Sequence, residues 1–202
     1  MTAPDPDEAL LARTRAGDET AFLTLYRKLQ GPIYRFTLNM TGSASVAEDV
    51  TQEVFLALIR EKFGYDSSRG TLAGYLFGIA RKLVLRHLER SRILADQEID
   101  SDERVGRRLA MGSDPMTDLL RAEGIEVLRK AVISLPKRYR EVVALCDLEE
   151  IDYVEAAAML GCPVGTVRSR LHRARALLLE KLQQTRDPKT DTRGWNPARS
   201  LI

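Results

Sequence analysis

Across most of the chain apolar residues recur at three- and four-residue intervals rather than alternating, a rhythm that predicts helices and no strands. Asp7 to Ala16 reads as a first helix, stopped by Gly17. Asp18 caps the next, whose buried face carries Phe22, Leu25, Tyr26 and Leu29. Gly31-Pro32 predicts an interruption before a helical stretch from Ile33 to Met40, and Thr41-Gly42-Ser43 a break. Ser45 with Glu48 has the S-x-x-E pattern of a capping box, opening a helix to about Lys62 with Val46, Val50, Val54, Phe55, Leu58 and Ile59 inward. Its opposite face is Asp49, Gln52, Glu53, Leu56 and Arg60. That stripe reads either as a solvated face or, because of Leu56, as a docking face for a protein.

Phe63 to Gly70, FGYDSSRG, is a polar loop rich in hydrogen-bonding groups. The helix after it, from about Leu72 to Arg90, turns Leu72, Leu76, Ile79, Leu83 and Leu88 inward and Arg81, Lys82, Arg86 and Arg90 outward. Lys82, Arg86 and Arg90 form a basic stripe, either solvated or facing nucleic acid. From Ile93 to Thr117 the periodicity disappears and charges mix with Gly, Ser and Pro, as in a linker. Helical spacing returns from Leu119 to Ile133 and, after Leu135-Pro136, from Lys137 to Cys146. The stretch after about Gln184 is polar and proline-broken, so a disordered tail is expected.

Between Ile151 and Leu179 the pattern sharpens. Tyr153, Ala156, Ala157 and Leu160 follow i, i+3, i+4, i+7, so a short helix spans Asp152 to Leu160. Gly161 can take the left-handed backbone that ends it, and Pro163 suits the first position of another helix. Small residues at 156 and 157 allow close packing, so the pair reads as a helix-turn-helix. On the second helix Val164, Val167, Leu171, Ala174 and Leu178 share the core side, and Gly165, Thr166, Ser169, His172 and Arg173 the far side. Arg168, Arg170 and Arg175 fall on the flanks. A helix entering a DNA major groove needs this division, with polar or forked groups along the centre for base edges and cations at the margins for phosphates. The plainer reading is a surface helix with solvated arginines. Against it, Val164 to Lys181 holds five Lys and Arg and the single acid Glu180.

A chain of 202 residues with 44% apolar content allows one or two small domains with a real core and excludes disorder throughout. Its net charge is only +2, so a nucleic-acid role rests on clustering. Basic residues gather in 81–92 and 164–181, against an acidic run from Asp147 to Glu155. Cys146, Cys162 and two histidines offer no metal-ligand spacing, so neither a metal nor another cofactor is expected. The cysteines read as small buried residues or as a redox-sensing pair. No activated serine or phosphate-cradling glycine motif is present, so no catalytic residue is assigned and the protein is expected not to be an enzyme. No early stretch looks like a signal peptide, and no apolar run approaches the ~18 to 20 residues of a bilayer span. A soluble cytoplasmic protein without membrane insertion is expected.

Four stretches, RAGDETAF at 15–22, AEDVTQEVFLAL at 47–58, LPKRYREVVAL at 135–145 and EAAAMLGCPVGTVRSRLHRAR at 155–175, resemble in order and spacing one family. It is the extracytoplasmic-function (ECF) subfamily of bacterial sigma-70-type factors, the subunits that bring RNA polymerase to promoters. The resemblance covers about Asp7 to Arg92 and Asp118 to Leu182. It implies an all-α fold of two small helical domains joined by a flexible linker. Residues 1–92 would resemble sigma region 2, 93–117 the linker, 118–184 a sigma region 4 ending in the helix-turn-helix, and 185–202 a tail.

The same resemblance implies the partners: core RNA polymerase, through its β′ coiled coil and β subunit, promoter DNA, and an anti-sigma factor. Asp49, Gln52, Glu53 and Leu56 match the docking surface for the β′ coiled coil. Tyr65, Asp66, Ser67, Arg69 and Thr71 match the loop that captures a flipped base of the −10 element, and Tyr75, Arg81, Lys82 and Arg86 the helix that holds its strand. Thr166, Arg168, Ser169, His172 and Arg173 match the −35 reading helix, with Arg170 and Arg175 beside them. Tyr75 stands where the family often has Trp, and Lys82 where it often has Asn. An ordinary helix-turn-helix repressor or activator is the competing reading and would bind duplex operators alone. A recombinase-like enzyme lacks a nucleophile in the first half.

Overall fold

The computed structural model describes residues 6–60, 64–95 and 115–186, and every regular element among them is helical. Helix α1 (Pro6–Arg15) turns through Gly17 into α2 (Glu19–Thr41). Asp18 caps α2 as its position predicts: one carboxylate oxygen accepts from the backbone N–H groups of Thr20 at 2.9 Å and Ala21 at 3.1 Å. The other accepts the Arg13 guanidinium at 2.7 and 3.0 Å. The Thr20 hydroxyl first, then Arg13 and Ala21, hold this carboxyl well below its ordinary value of 3.8. A depressed folded value means the cap contributes fully above the ordinary carboxylate range and is lost as pH falls through the lower folded value. In a carboxyl-carbon NMR titration Asp18 should therefore have a midpoint below 3.8. A midpoint at the ordinary value would show that the cap does not form.

The sequence pattern predicts a break at Gly31-Pro32, but α2 runs on through it. Proline there removes one backbone hydrogen bond, yet Leu25, Leu29, Ile33, Phe36 and Met40 form one buried stripe across the site. Packing of that stripe outweighs the lost bond. Helix α3 (Ala44–Ile59) is capped by Ser43, two residues before the expected cap Ser45: the Ser43 hydroxyl accepts from the Val46 N–H at 3.4 Å. It also stops short of Lys62, and residues 61–63 lie outside the described residues. Ile59, expected inward, is 54% exposed, because it stands one residue around the helix from buried Leu58 at the very end of α3.

A short 3-10 turn (Ser67–Arg69) leads to α4 (Leu72–Ala95), which outlasts its expected end at Arg90. Helix α5 (Pro115–Ile133) begins slightly before its expected start. Most of the expected linker 93–117, residues 96–114, lies outside the described residues, as do residues 187–202 of the expected tail. Helix α6 (Lys137–Val142) widens into a π turn (Val143–Leu148), followed by α7 (Tyr153–Leu160) and α8 (Val164–Arg186).

Helix α2 is the centre of packing. It touches α1, α3 and α4 of the first half and α5, α6 and the π turn of the second, and buried residues from Leu11 to Ala174 form a continuous cluster. Nothing in the sequence pattern fixes the separation of the two halves; in the structure they are packed together. The Arg35 guanidinium donates to both Glu149 oxygens, at 3.1 and 2.7 Å. Burial raises the Glu149 carboxyl above its ordinary range while Arg35 pulls it back. Arg140 donates to the carbonyls of Ile133, Leu135 at 3.1 Å and Met40 at 2.7 Å, tying the end of α5 to the last turn of α2. Gly42, at φ 75°, ends α2 beside Ile133, whose Cδ1 would lie 3.1 Å from a Cβ at that position.

Candidate nucleic-acid interface

The loop from 64 to 71 is shaped by its own polar side chains. Asp66 accepts from the Ser68 N–H at 3.0 Å and its hydroxyl at 2.7 Å, which lowers the Asp66 carboxyl below its ordinary range and fixes the 3-10 turn. The Tyr65 hydroxyl contacts the Gly70 carbonyl at 3.1 Å and Glu8 of α1 at 3.2 Å. Its ring lies 5.5 Å from that of Tyr75, whose phenol is raised by partial burial. Thr71 opens α4: its hydroxyl accepts from the Gly74 N–H at 3.0 Å and its carbonyl from the Tyr75 N–H at 3.0 Å. Ser67 and Arg69 are exposed beside it.

Tyr65, Asp66, Arg69, Thr71 and Tyr75, but not Ser67, line one cavity of about 700 Å³. Glu53 and Leu56 of α3, Arg60 just after it, and Lys82 and Arg86 of α4 line it too. Asp49, Gln52, Glu53 and Leu56 are all exposed on the outer face of α3, Leu56 by 45%. Glu53 accepts from Arg86 at 3.1 Å, which joins the α3 stripe to the basic face of α4. Arg81 corrects the expectation of an outward cation. It is half-buried, with Nε donating to Glu141 at 3.1 Å and Nη1 to the Met159 carbonyl at 3.4 Å, because the second half of the chain packs against that face.

The helix-turn-helix forms largely as its residues dictate. Asp152 caps α7 by accepting from the Val154 N–H at 2.7 Å, and Gly161, at φ 63°, ends it in the left-handed region. Pro163 sits one position before α8 rather than at its first residue; its carbonyl accepts from the Thr166 N–H at 2.8 Å. Val167, Leu171 and Ala174 are buried, while Gly165, Arg168, Ser169, His172 and Arg173 are exposed and Thr166 and Arg170 half-exposed. A hydrogen bond from Arg173 lowers the Tyr139 phenol, and the Arg138 guanidinium stands 4.8 Å from the same ring. Arg175 is exposed but held by Asp147 at 2.5 and 3.0 Å, which raises its pKa further.

Pattern reading missed the part of the groove wall that comes from the second half, Glu155, Ala158 and Met159 on α7, and the pairing of Glu141 with Arg81. The signal was Gly74, an isolated glycine inside a helical pattern, which marks a close approach. A Cβ there would collide with the Glu155 carboxylate and lie 3.1 Å from the Met159 methyl. Burial pushes the Cys146 thiol up to about 11, a state suited to packing rather than thiolate chemistry. Among the described residues no group of three His, Cys, Asp or Glu could hold a metal, and no helix is long and apolar enough to cross a membrane.

A basic groove on a helical first half and a helix-turn-helix with an exposed polar face define a DNA-binding regulator. Residues 25–93 match sigma-70 region 2, and residues 125–178 match sigma-70 region 4. Over 184 residues the chain is 33% identical to the ECF RNA polymerase sigma-E factor of Escherichia coli K12, covering 88% of this chain and 94% of that one. Over 173 residues it is 34% identical to the ECF RNA polymerase sigma factor SigE of Mycolicibacterium smegmatis, covering 82% of this chain and 64% of that relative's length. The fold is shared with CnrH, solved in complex with the cytosolic domain of CnrY, at a TM-score of 0.65, 24% identity and coverage of 89% and 98%. The sigma factor RpoE of Bartonella quintana, solved with the anti-sigma factor NepR, superposes at a TM-score of 0.62 with 25% identity, covering 82% of this chain and 96% of that one. The chain belongs to the ECF RNA polymerase sigma factors.

Proposed function

We propose that the chain binds core RNA polymerase through Asp49, Gln52, Glu53 and Leu56 and directs it to promoters by reading single-stranded −10 and duplex −35 DNA. The observation that supports this best is the shared groove. Exposed Leu56 beside Glu53, a hydrogen-bonding loop carrying Tyr65, Tyr75 of α4 and a row of cations line a single cavity, so polymerase docking and capture of an unpaired strand would act side by side. Tyr65, Asp66, Ser67, Arg69, Thr71, Tyr75, Arg81, Lys82 and Arg86 are the −10 set. Thr166, Arg168, Ser169, Arg170, His172, Arg173 and Arg175 are the −35 set. The role is that of a cytoplasmic regulator without catalysis of its own. Because the similar sigma factor RpoE of Bartonella quintana is solved with the anti-sigma factor NepR, an anti-sigma factor is proposed as a further partner.

Transcription reconstituted with core polymerase on a promoter library tests the reading, together with promoter affinity measured with and without core enzyme at one salt concentration. Promoter-selective transcription and weak duplex binding by the chain alone are expected. Nanomolar, sequence-specific duplex binding without polymerase would favour the repressor or activator instead. Within the library, Arg173→Ala should relax preference at one base position, since a forked Arg contact supplies roughly 1 to 3 kcal/mol of discrimination. Arg168→Ala should weaken all promoters alike. If the two variants exchanged these behaviours, the base-reading face would be Arg168's.

A further inference from the structure

Arg175, on the flank of α8, is held along one edge of its guanidinium. Its Nε donates to one Asp147 carboxylate oxygen at 3.0 Å and its Nη2 to the other at 2.5 Å. Asp147 comes from the wide turn Val143–Leu148, which closes through bonds from the Glu149 N–H to the Ala144 carbonyl and from the Ile151 N–H to the Leu145 carbonyl. Tyr153, the first residue of α7, accepts from the same guanidinium. Exposure within the ion pair is unequal, 57% for the Arg175 side chain against 24% for that of Asp147. The acid therefore lies inward and the cation outward.

A guanidinium is a rigid fork, and Asp147 occupies its Nε edge, so the Nη1 donors lie outside the pair. A carboxylate on one edge still permits a phosphate on the end of the fork, which a lysine ammonium could not divide in this way. Along α8, exposed Arg168, His172 and Arg175 are spaced i, i+4, i+7 and share one stripe. Arg168 is the cation of that stripe expected to grip phosphate without base preference. Taking the −35 assignment above as its premise, we infer that Asp147 is a positioning residue for duplex binding: it holds Arg175 with the end of its fork turned toward a phosphate. An arginine ordered in advance loses less rotamer freedom when the DNA arrives.

The test titrates a fluorescent mixed-sequence duplex with the full chain at several salt concentrations, because each phosphate contact adds about 0.9 to the slope of log affinity against log salt. Arg175→Ala should reduce that slope by about 1. Asp147→Asn keeps the shape of the side chain and removes its charge. It should weaken binding about threefold and reduce the slope in the same direction, and the double variant should bind no more weakly than Arg175→Ala alone. Removing an acid near DNA would on charge alone tighten binding, so the expected loss runs against the simple electrostatic effect. Helicity and thermal midpoint should stay unchanged, since an exposed ion pair contributes little to stability. Tighter or unchanged binding by Asp147→Asn would overturn the inference, the former making Asp147 a carboxylate that competes with phosphate for Arg175. Additive losses in the double variant, an unchanged slope in either single variant, or no salt-dependent duplex binding by the original chain would overturn it too. If the original chain gave no promoter-selective transcription with core polymerase, the sigma reading would fall, while the duplex titration would still decide the part played by Asp147.

Discussion

Replacing Leu56 with Asp should lower affinity for core polymerase by at least about thirtyfold, a loss of roughly 2 kcal/mol, with helicity and thermal midpoint unchanged. Leu56 is 45% exposed on a helix whose opposite face is packed, so the substitution removes no core contact. A charge at the centre of an apolar contact both loses burial and leaves an unpaired group desolvated. Glu53→Lys should act in the same direction. Its ion pair with Arg86 joins side chains that are 55% and 54% exposed, and such pairs contribute little to stability. Polymerase pull-down beside circular dichroism separates binding from folding. Undiminished binding by both variants, with native helicity, would remove α3 from the docking surface.

The largest effect on stability is expected from Phe36→Ala. Phe36 is fully buried on the packed face of α2, and its ring meets Phe77 edge-on at 5.6 Å. Truncating a buried Phe costs about 3 to 5 kcal/mol, a large share of the roughly 5 to 15 that stabilises a domain. Leu23→Ala, on the same helix at 45% exposure, should change stability by less than about 0.5 kcal/mol. Urea unfolding reads both: the midpoint should fall steeply for Phe36→Ala and hardly for Leu23→Ala. Because α2 packs against elements of both halves, circular dichroism and Trp-independent probes on each half should move together. A Phe36→Ala protein as stable as the original would mean that α2 is not the centre of the core.

Local chemistry was legible in the residues themselves. Asp18 before an amphipathic run and Gly161 between two of them act through bonds to residues two to five positions away, and both stand where the pattern puts them. Pro32 was misread because its local preference is outvoted by a stripe of buried side chains whose partners lie elsewhere in the chain. Of the groove, the pattern marked the first-half wall but not the wall from α7. Thr71 and Glu155 are separated by 84 residues, and helix periodicity carries no information about which faces meet at that distance. The same blindness made Arg81 look solvated. An arginine at a flank of an apolar stripe has the same spacing whether it meets water or a carboxylate.

The wide turn Val143–Leu148 has an evolutionary side. Its Glu149 N–H bonds the Ala144 carbonyl at 3.2 Å, a ring one residue larger than that of an α-helix. Deleting a residue there shrinks the ring to the ordinary size and leaves the flanking segments close to their present phase. A deletion between 169 and 173 instead rotates every following side chain by about 100°, swinging Arg173 off the face it shares with Ser169. Natural or engineered versions of this chain that differ by one residue in length should therefore carry the gap between 143 and 148, where the phase of α8 survives it.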